Sequence, residues 1–282
     1  MAKANVNVCE MVTKRFIEEL EKGIIPWHKP WTGTRAGAFN RVSKKSYSLL
    51  NQMMLKHTGE YATFKQWSDL GGKIRKGEKA EIVVFWKMLQ TTEVNKDGET
   101  VTKTIPLLRY FNVFHISQVD GVEPLKESEI KEVEPIEEAD NLIKAYVTRE
   151  GLTYEETESD EAYYSPRHDT VVVPLKEQFK EISEYYSMAF HELTHSTGHK
   201  NRLDRLATGA KASFGSEDYS KEELVAEIGS ATILNLLGIE TPKTFKNSTA
   251  YIQSWINVLK NDVNFIVSAS SKAEKAVNYI LG

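Results

Sequence analysis

The sequence predicts an α+β protein in two domains, a small N-terminal sheet with helices followed by a mostly helical C-terminal domain. Three observations carry that reading. Apolar runs of strand length and most of the aromatic residues lie before residue 123, and long stretches at helical spacing lie after residue 138. Between them sits an acidic segment with Pro124 and Pro135 that lacks apolar periodicity. The predicted boundaries are therefore 1–122, a linker over 123–138, and 139–282. In a chain of 282 residues each domain can own a core. Hydrophobic content of 40% and charged content of 27% describe a soluble protein, and no apolar run approaches a membrane span. Met1 to Cys9 lacks the apolar core of a secretion signal, and a lone cysteine cannot form an internal disulfide. The expectation is a cytoplasmic protein with no membrane partner, in which Cys9 is a small buried apolar residue.

Charge divides the halves. Residues 1–128 carry 20 Lys and Arg against 14 Asp and Glu, a net +6, while residues 129–282 carry 16 against 26, a net −10. A basic first half suits an anionic partner. It opens with an amphipathic helix over 6–22, where Val8, Met11, Val12, Phe16, Ile17 and Leu20 share a face and Lys22-Gly23 ends the run. Gly23 to Trp31 is non-periodic, with Trp27 and Trp31 close to Lys29, Arg35 and Arg41. Two readings stand for it: a stacking platform for unpaired bases, or two rings filling the core of a small domain. A second helix is expected from Asn40 to Lys56, behind a basic turn with Arg41, Lys44 and Lys45. Thr63 caps a short helix that carries Lys65 and ends at Gly71-Gly72. Lys73, Arg75, Lys76 and Lys79 form a cationic turn. Ala80 to Met88 is a strand whose run Val83-Val84-Phe85-Trp86 is too continuous for an exposed edge. Asp97-Gly98 turns the chain, and Thr102 to Phe114 returns as strands with Tyr110, Phe111 and Phe114. Four of the five Trp lie in this half. Small sheet, basic loops and aromatics together fit a single-stranded nucleic acid binder, although a +6 surface can also be merely solvated.

The second domain opens with a helix over Ala139 to Arg149. Ala162 to Asp169 reads as a hairpin turn into the strand Thr170–Pro174; in zinc hydrolases with this layout the strand before the motif helix pairs with extended substrate by β-addition, and the same is expected here. Glu177 to His195 is a helix that ends in His191-Glu192-Leu193-Thr194-His195. Residues four apart on a helix share a face, so both imidazoles can aim at one cation while Glu192 reaches a water beside it. Two neutral nitrogens, a third protein ligand and one open position make a zinc hydrolase site. With 7 His and 31 Glu in the chain, chance supplies this pattern roughly 0.02 times. The bland alternative is a pair of surface histidines.

The third ligand must come from elsewhere. A metzincin would need a third histidine where Asn201 stands, and His199 falls two residues short. A gluzincin-type site would instead take a carboxylate from the helix Ser220–Leu237. There Glu223 would bind the ion, and Glu227, one turn on, would hold a ligand histidine. Ser220 and Glu223 also match a capping box, and in that case Glu227 would be the ligand. Tyr219, just before this helix, can donate a hydrogen bond to a developing oxyanion or simply pack. Zn2+ is the expected ion, with Mn2+ also compatible with nitrogen and oxygen donors. Thr249 to Leu281 completes the chain as helix, with a core stripe of Ile252, Trp255, Ile256 and Leu259.

The chain as a whole resembles the ArdC-type antirestriction proteins of plasmids and phages. In the first half the resemblance is carried by Gly23-Ile24-Ile25-Pro26-Trp27, Thr63-Phe64-Lys65-Gln66, Arg75-Lys76-Gly77-Glu78-Lys79, Val113-Phe114-His115 and Gln118-Val119-Asp120-Gly121. In the second it is carried by Tyr164-Ser165-Pro166, His191 to His199, Arg202-Leu203-Asp204 and Glu222 to Glu227. It implies an N-terminal domain that binds single-stranded DNA, a C-terminal zincin-like metallopeptidase domain, and protection of incoming DNA from restriction. The leading reading is that the metal domain cuts an unidentified protein acting on that DNA. The alternatives are a non-catalytic strand-coating protein with a structural metal, and a replication role like that of TraC-like primases. The latter shares the DNA-binding domain but draws no support from the peptidase half.

Overall fold

The computed structural model describes residues 7–28, 37–94, 100–125, 135–206, 217–239 and 248–282. Helix α1 (Val8–Glu21) starts at Asn7, whose side-chain oxygen accepts from the amides of Cys9 and Glu10, relieving the unpaired donors of the first turn. Its buried stripe is Val8, Val12, Phe16 and Leu20, and Cys9 is buried as anticipated. A 3-10 turn, Pro26–His28, follows. The single helix expected from Asn40 to Lys56 is instead a strand, β1 (Ala38–Asn40), and a short helix, α2 (Leu49–Met54). The reason is local. The side-chain oxygen of Asn40 accepts from the amides of Val42 and Ser43, a turn that competes with helix, and Lys44 takes a positive φ of 59°.

Strand β2 (Gly59–Ala62) leads into α3 (Phe64–Asp69), which opens on a Thr63–Gln66 capping box. Strands β3 (Lys73–Ile74), β4 (Glu81–Val94), β5 (Thr100–His115) and β6 (Val119–Asp120) complete the half. The main sheet runs β1-β2-β5-β4, with β1 parallel to β2 and the other pairs antiparallel. β3 pairs with β6 apart from it. The Asp97-Gly98 turn between β4 and β5 lies outside the described residues.

After α4 (Pro135–Glu150), β7 (Thr153–Thr157), β8 (Tyr163–Ser165) and β9 (Thr170–Pro174) form a sheet ordered β7-β9-β8. β9 is therefore central, bonded to β7 on one side and β8 on the other. This corrects the substrate-pairing role expected of Thr170–Pro174, since β7 pairs along that whole strand on one side and β8 along Thr170–Val172 on the other. Helix α5 (Ile182–Ser196) begins later than expected because Lys176–Gln178 forms a 3-10 turn. Helices α6 (Glu217–Leu237), α7 (Ser248–Asn261) and α8 (Phe265–Leu281) follow. Among the described residues no helix is long and apolar enough to cross a membrane.

The two halves share a core. Val12, Phe16, Leu20, Trp27 and Met53 belong to one apolar cluster with Leu224, Ile228, Trp255, Leu259 and Ile266 from α6, α7 and α8. A second cluster packs α4, β9 and α5 against α6 and α8. The face of α1 that the first half cannot cover alone is thus covered by the second, and Thr13 donates to the carbonyl of Val263 at 2.6 Å. Among the described residues, two small clusters, around Tyr61 and around Trp67, belong to the N-terminal sheets alone. Helix α6, buried on nearly every side, touches both large clusters and carries the carboxylates described next.

Candidate metal centre

Helix α5 turns Tyr185, Tyr186, Ala189, Phe190 and Leu193 into the core. Four-residue spacing then leaves His191 and His195 facing α6. Two features draw the helices together. Gly229 sits so close to Thr194 that an added Cβ would lie 2.6 Å from its Cγ2, and Ser230 donates to the carbonyl of Ser187 at 2.7 Å. That approach brings Glu223 between the imidazoles. The Nε2 atoms of His191 and His195 are 3.1 Å apart, and the two oxygens of Glu223 lie 3.4 Å from Nε2 of His191 and 3.3 Å from Nε2 of His195.

These separations test the donor set. Ligands about 2.0–2.1 Å from a tetrahedral ion stand about 3.3–3.4 Å from one another. Here the two Nε2 atoms are 3.1 Å apart, each faces its own oxygen of Glu223 at 3.3–3.4 Å, and one donor atom from each of the three residues lies within 4.8 Å of the others. The residues fit a small divalent cation. His191, His195 and Glu223 are the group among the described residues that can hold one.

A second layer of carboxylates meets the far nitrogens. Glu227 Oε1 is 3.5 Å from Nδ1 of His191, and Glu222 Oε1 is 3.5 Å from Nδ1 of His195. Glu222 is gripped by Arg205, whose Nη2 lies 2.8 Å from Oε1 and whose Nη1 donates to Thr197 Oγ1 at 2.7 Å. Glu227 is met from the other half of the chain, by Nε2 of His28 at 3.9 Å. Burial alone would push the imidazoles toward neutrality. The carboxylates outweigh it, raising His191 and holding His195 at about 10. Burial likewise opposes ionisation of Glu223, yet the two histidines hold its carboxyl well below the usual range. Positive charge is therefore stabilised here, and a cation would take the place of protons.

The capping-box reading of Ser220 and Glu223 fails. Helix α6 begins at Glu217, so both residues lie inside it, and Ser220 Oγ bonds Ser254 Oγ at 2.9 Å. Tyr219 also lies inside α6, half-buried one turn before Glu223. Glu192 is buried, and its charge acts on both imidazoles. Beyond the motif, Arg202 locks the end of α5. It donates to both oxygens of Asp169 at 2.8 Å and to the carbonyl of Ser196 at 2.9 Å.

The residues singled out for DNA fare unevenly. Trp27 is 1% exposed and packs edge-on against Trp255 at 5.1 Å. It is core, and the stacking role is withdrawn. Arg41 is half-buried in an ion pair with Glu60, which takes its charge out of solvent. Lys29, Trp31 and Arg35 lie outside the described residues. Lys44, Lys45, Lys73, Lys76 and Lys79 are exposed, as are Lys65, paired with Asp69, and Arg75, paired with Glu78 and Asp120. The strand run read as too continuous for exposure is exposed at Phe85, and Tyr110 and Phe111 on β5 are exposed beside it.

Family comparisons agree with this architecture. Residues 137–272 match a zincin-like metallopeptidase family, and residues 6–114 match the N-terminal domain of the anti-restriction factor ArdC. The antirestriction ArdC protein of plasmid R388, solved metal-free and with Mn(II) bound, superposes with a TM-score of 0.76 at 30% identity. The alignment covers 97% of this chain and 96–97% of that one. The chain belongs to the ArdC antirestriction family. Two Escherichia coli proteins named DNA primase TraC are 34% and 35% identical over 96% and 100% of this chain. The chain spans only 20% and 28% of their lengths. Because these matches cover the peptidase half as well, that half supports the likeness to the TraC proteins too and does not separate the family from them, contrary to the expectation from sequence.

Proposed function

We propose that the chain is a cytoplasmic metallopeptidase that binds single-stranded DNA and protects incoming plasmid or phage DNA from restriction. The observation that carries the catalytic part is the triangle of His191, His195 and Glu223, with Glu192 buried alongside. These three residues hold the ion, zinc or manganese, and Glu227 and Glu222 keep the imidazoles turned toward it. A divalent ion at this point supplies an acidified water and a polarised peptide carbonyl. Glu192 accepts the proton of the attacking water and passes it to the leaving amine, while the Tyr219 hydroxyl donates to the developing oxyanion. Lys44, Lys45, Lys65, Lys73, Arg75, Lys76 and Lys79 supply phosphate contacts that place the peptidase on DNA, next to an unidentified protein bound to the same strand. The relatives named as antirestriction proteins support the biological role.

A strand-coating protein with a structural metal is the competing reading. Structural zinc sites are closed by four protein ligands, whereas three donors converge here among the described residues, which favours an open position for water. The test is Glu192→Gln, assayed for cleavage of host proteins by mass spectrometry and for protection of transferred DNA. Loss of cleavage with metal and DNA binding retained supports the mechanism. Retained cleavage refutes it, and full protection without cleavage favours the coating protein.

A further inference from the structure

We propose that single-stranded DNA stacks on one face of the β4–β5 ribbon, on the rings of Phe85 and Phe111 with Arg109 beside them. This rests on the DNA-binding reading above and names where that binding occurs. Register sets the patch. Phe85 pairs with Arg109 and Val83 with Phe111, and directly opposed residues of an antiparallel pair share a face. Phe85, Arg109 and Phe111 are thus neighbours on one side, with opposed Cβ atoms about 4.5–5.5 Å apart and diagonal partners about 7–8 Å. Phe85 is 54% exposed and Phe111 is 47% exposed, and Arg109 is exposed as well.

Arg109, Tyr110, Phe111 and Asn112 are four exposed residues in succession. Since alternate residues face opposite sides, both faces of the ribbon meet solvent there. The base of the ribbon is fixed. Val83 and Val113 are core, and the backbone of Val84 is held at both polar atoms by the side chain of Asn51, at 2.8 and 2.9 Å. The rings are therefore presented on a rigid edge. Charge decides the occupant. Arg109 stands directly opposite Phe85 on the ring-bearing face, and the exposed Lys73, Lys76 and Lys79 occupy the turn that feeds β4. Ring faces that tolerate any base, next to cations that track phosphates, are the requirement for unpaired nucleic acid.

The experiment titrates fluorescein-labelled oligo(dT) with full-length protein and with Phe85→Leu/Phe111→Leu, Arg109→Gln and Tyr110→Leu, followed by anisotropy. Leucine keeps the strand apolar but removes the ring. The double variant should weaken binding by about tenfold or more, the span expected for lost base–aromatic stacking. Arg109→Gln should reduce the slope of log affinity against log salt by about one. Tyr110 lies on the opposite face, so Tyr110→Leu should bind like the unaltered protein. Equal affinity of the Phe85/Phe111 variant and the unaltered protein overturns the platform while leaving DNA binding intact. Failure of the unaltered protein to bind oligo(dT) removes the underlying reading instead. A dimer in light scattering that this variant converts to monomer makes the face a self-interface, and overturns the proposal too.

Discussion

Gly229→Ala is the perturbation that most sharply separates helix packing from ligand chemistry, because Gly229 contributes no ligand atom. The added Cβ would lie 2.6 Å from Cγ2 and 2.8 Å from Oγ1 of Thr194. Carbon contacts relax at about 3.5–4.0 Å, so α5 and α6 must separate by about 1 Å at this level. Thr194 is fully buried, and its hydroxyl is committed to the Phe190 carbonyl at 2.7 Å, so it cannot swing aside cheaply. Overpacking of this kind costs about 1–3 kcal/mol. The metal consequence is larger than the stability consequence, since ligand distances tolerate only about ±0.2 Å. Competition with a chromophoric chelator for Mn(II) or Zn(II) should show at least a tenfold loss of affinity, the scale seen when ligand support is removed. Thr194→Ala takes away both clashing atoms and leaves its Cβ at 3.3 Å, so the double variant should recover most of the affinity. Gly229→Ala binding metal as tightly as the unaltered protein would refute the claim that this contact positions the site.

Three further outcomes follow from the same geometry. Glu223→Gln should abolish measurable metal binding by calorimetry, whereas Glu227→Gln should weaken it about 10–100-fold, as for a residue that only orients a ligand; the reverse ranking would exchange their roles. His28→Ala should weaken metal binding by a smaller factor, roughly threefold, because it supports Glu227 at 3.9 Å rather than a ligand directly. That loss should vanish in a Glu227→Gln background, and an undiminished effect there would break the proposed chain of contacts. Although burial opposes it, Arg202 and Tyr164 hold the Asp169 carboxyl below its ordinary value of 3.8. Its contribution is thus complete above pH 3.8 and is lost as pH falls through the lower folded value. Asp169→Asn should cost about 1 kcal/mol near neutrality, because Arg202 is buried but the Asp169 side chain is 29% exposed and its pair is screened by solvent, and should flatten that acid limb in thermal melts.

What the sequence made legible was whatever repeats within a few residues. His191 and His195 are set by one helical turn, as are Glu223 and Glu227, so the donor types could be read before any packing was known. The choice between the two carboxylates could not, because it depends on the approach of α6 to α5. Gly229, which allows that approach, leaves no mark in a local pattern. Neither does Arg205, held to Glu222 across 17 residues, nor His28, which reaches Glu227 from the opposite end of the chain. Trp27 shows the converse failure. A tryptophan beside prolines and cations reads equally as platform or plug, and its partner Trp255 is more than two hundred residues away. The sheet readings failed for similar reasons. An apolar run fits a covered strand or an exposed aromatic ribbon, and strand order, which makes β9 central, is a long-range property. The shared core of α1 with α6, α7 and α8 was likewise hidden, since an amphipathic stripe says that it must be covered but not by what.

The measurement closest to the central claim is the position of a bound ion. Crystals grown with Mn(II) and measured at its absorption edge should give an anomalous peak about 2.0–2.2 Å from Nε2 of His191, Nε2 of His195 and a carboxylate oxygen of Glu223. A peak coordinated elsewhere, or none at this triangle in metal-loaded protein, would contradict the account.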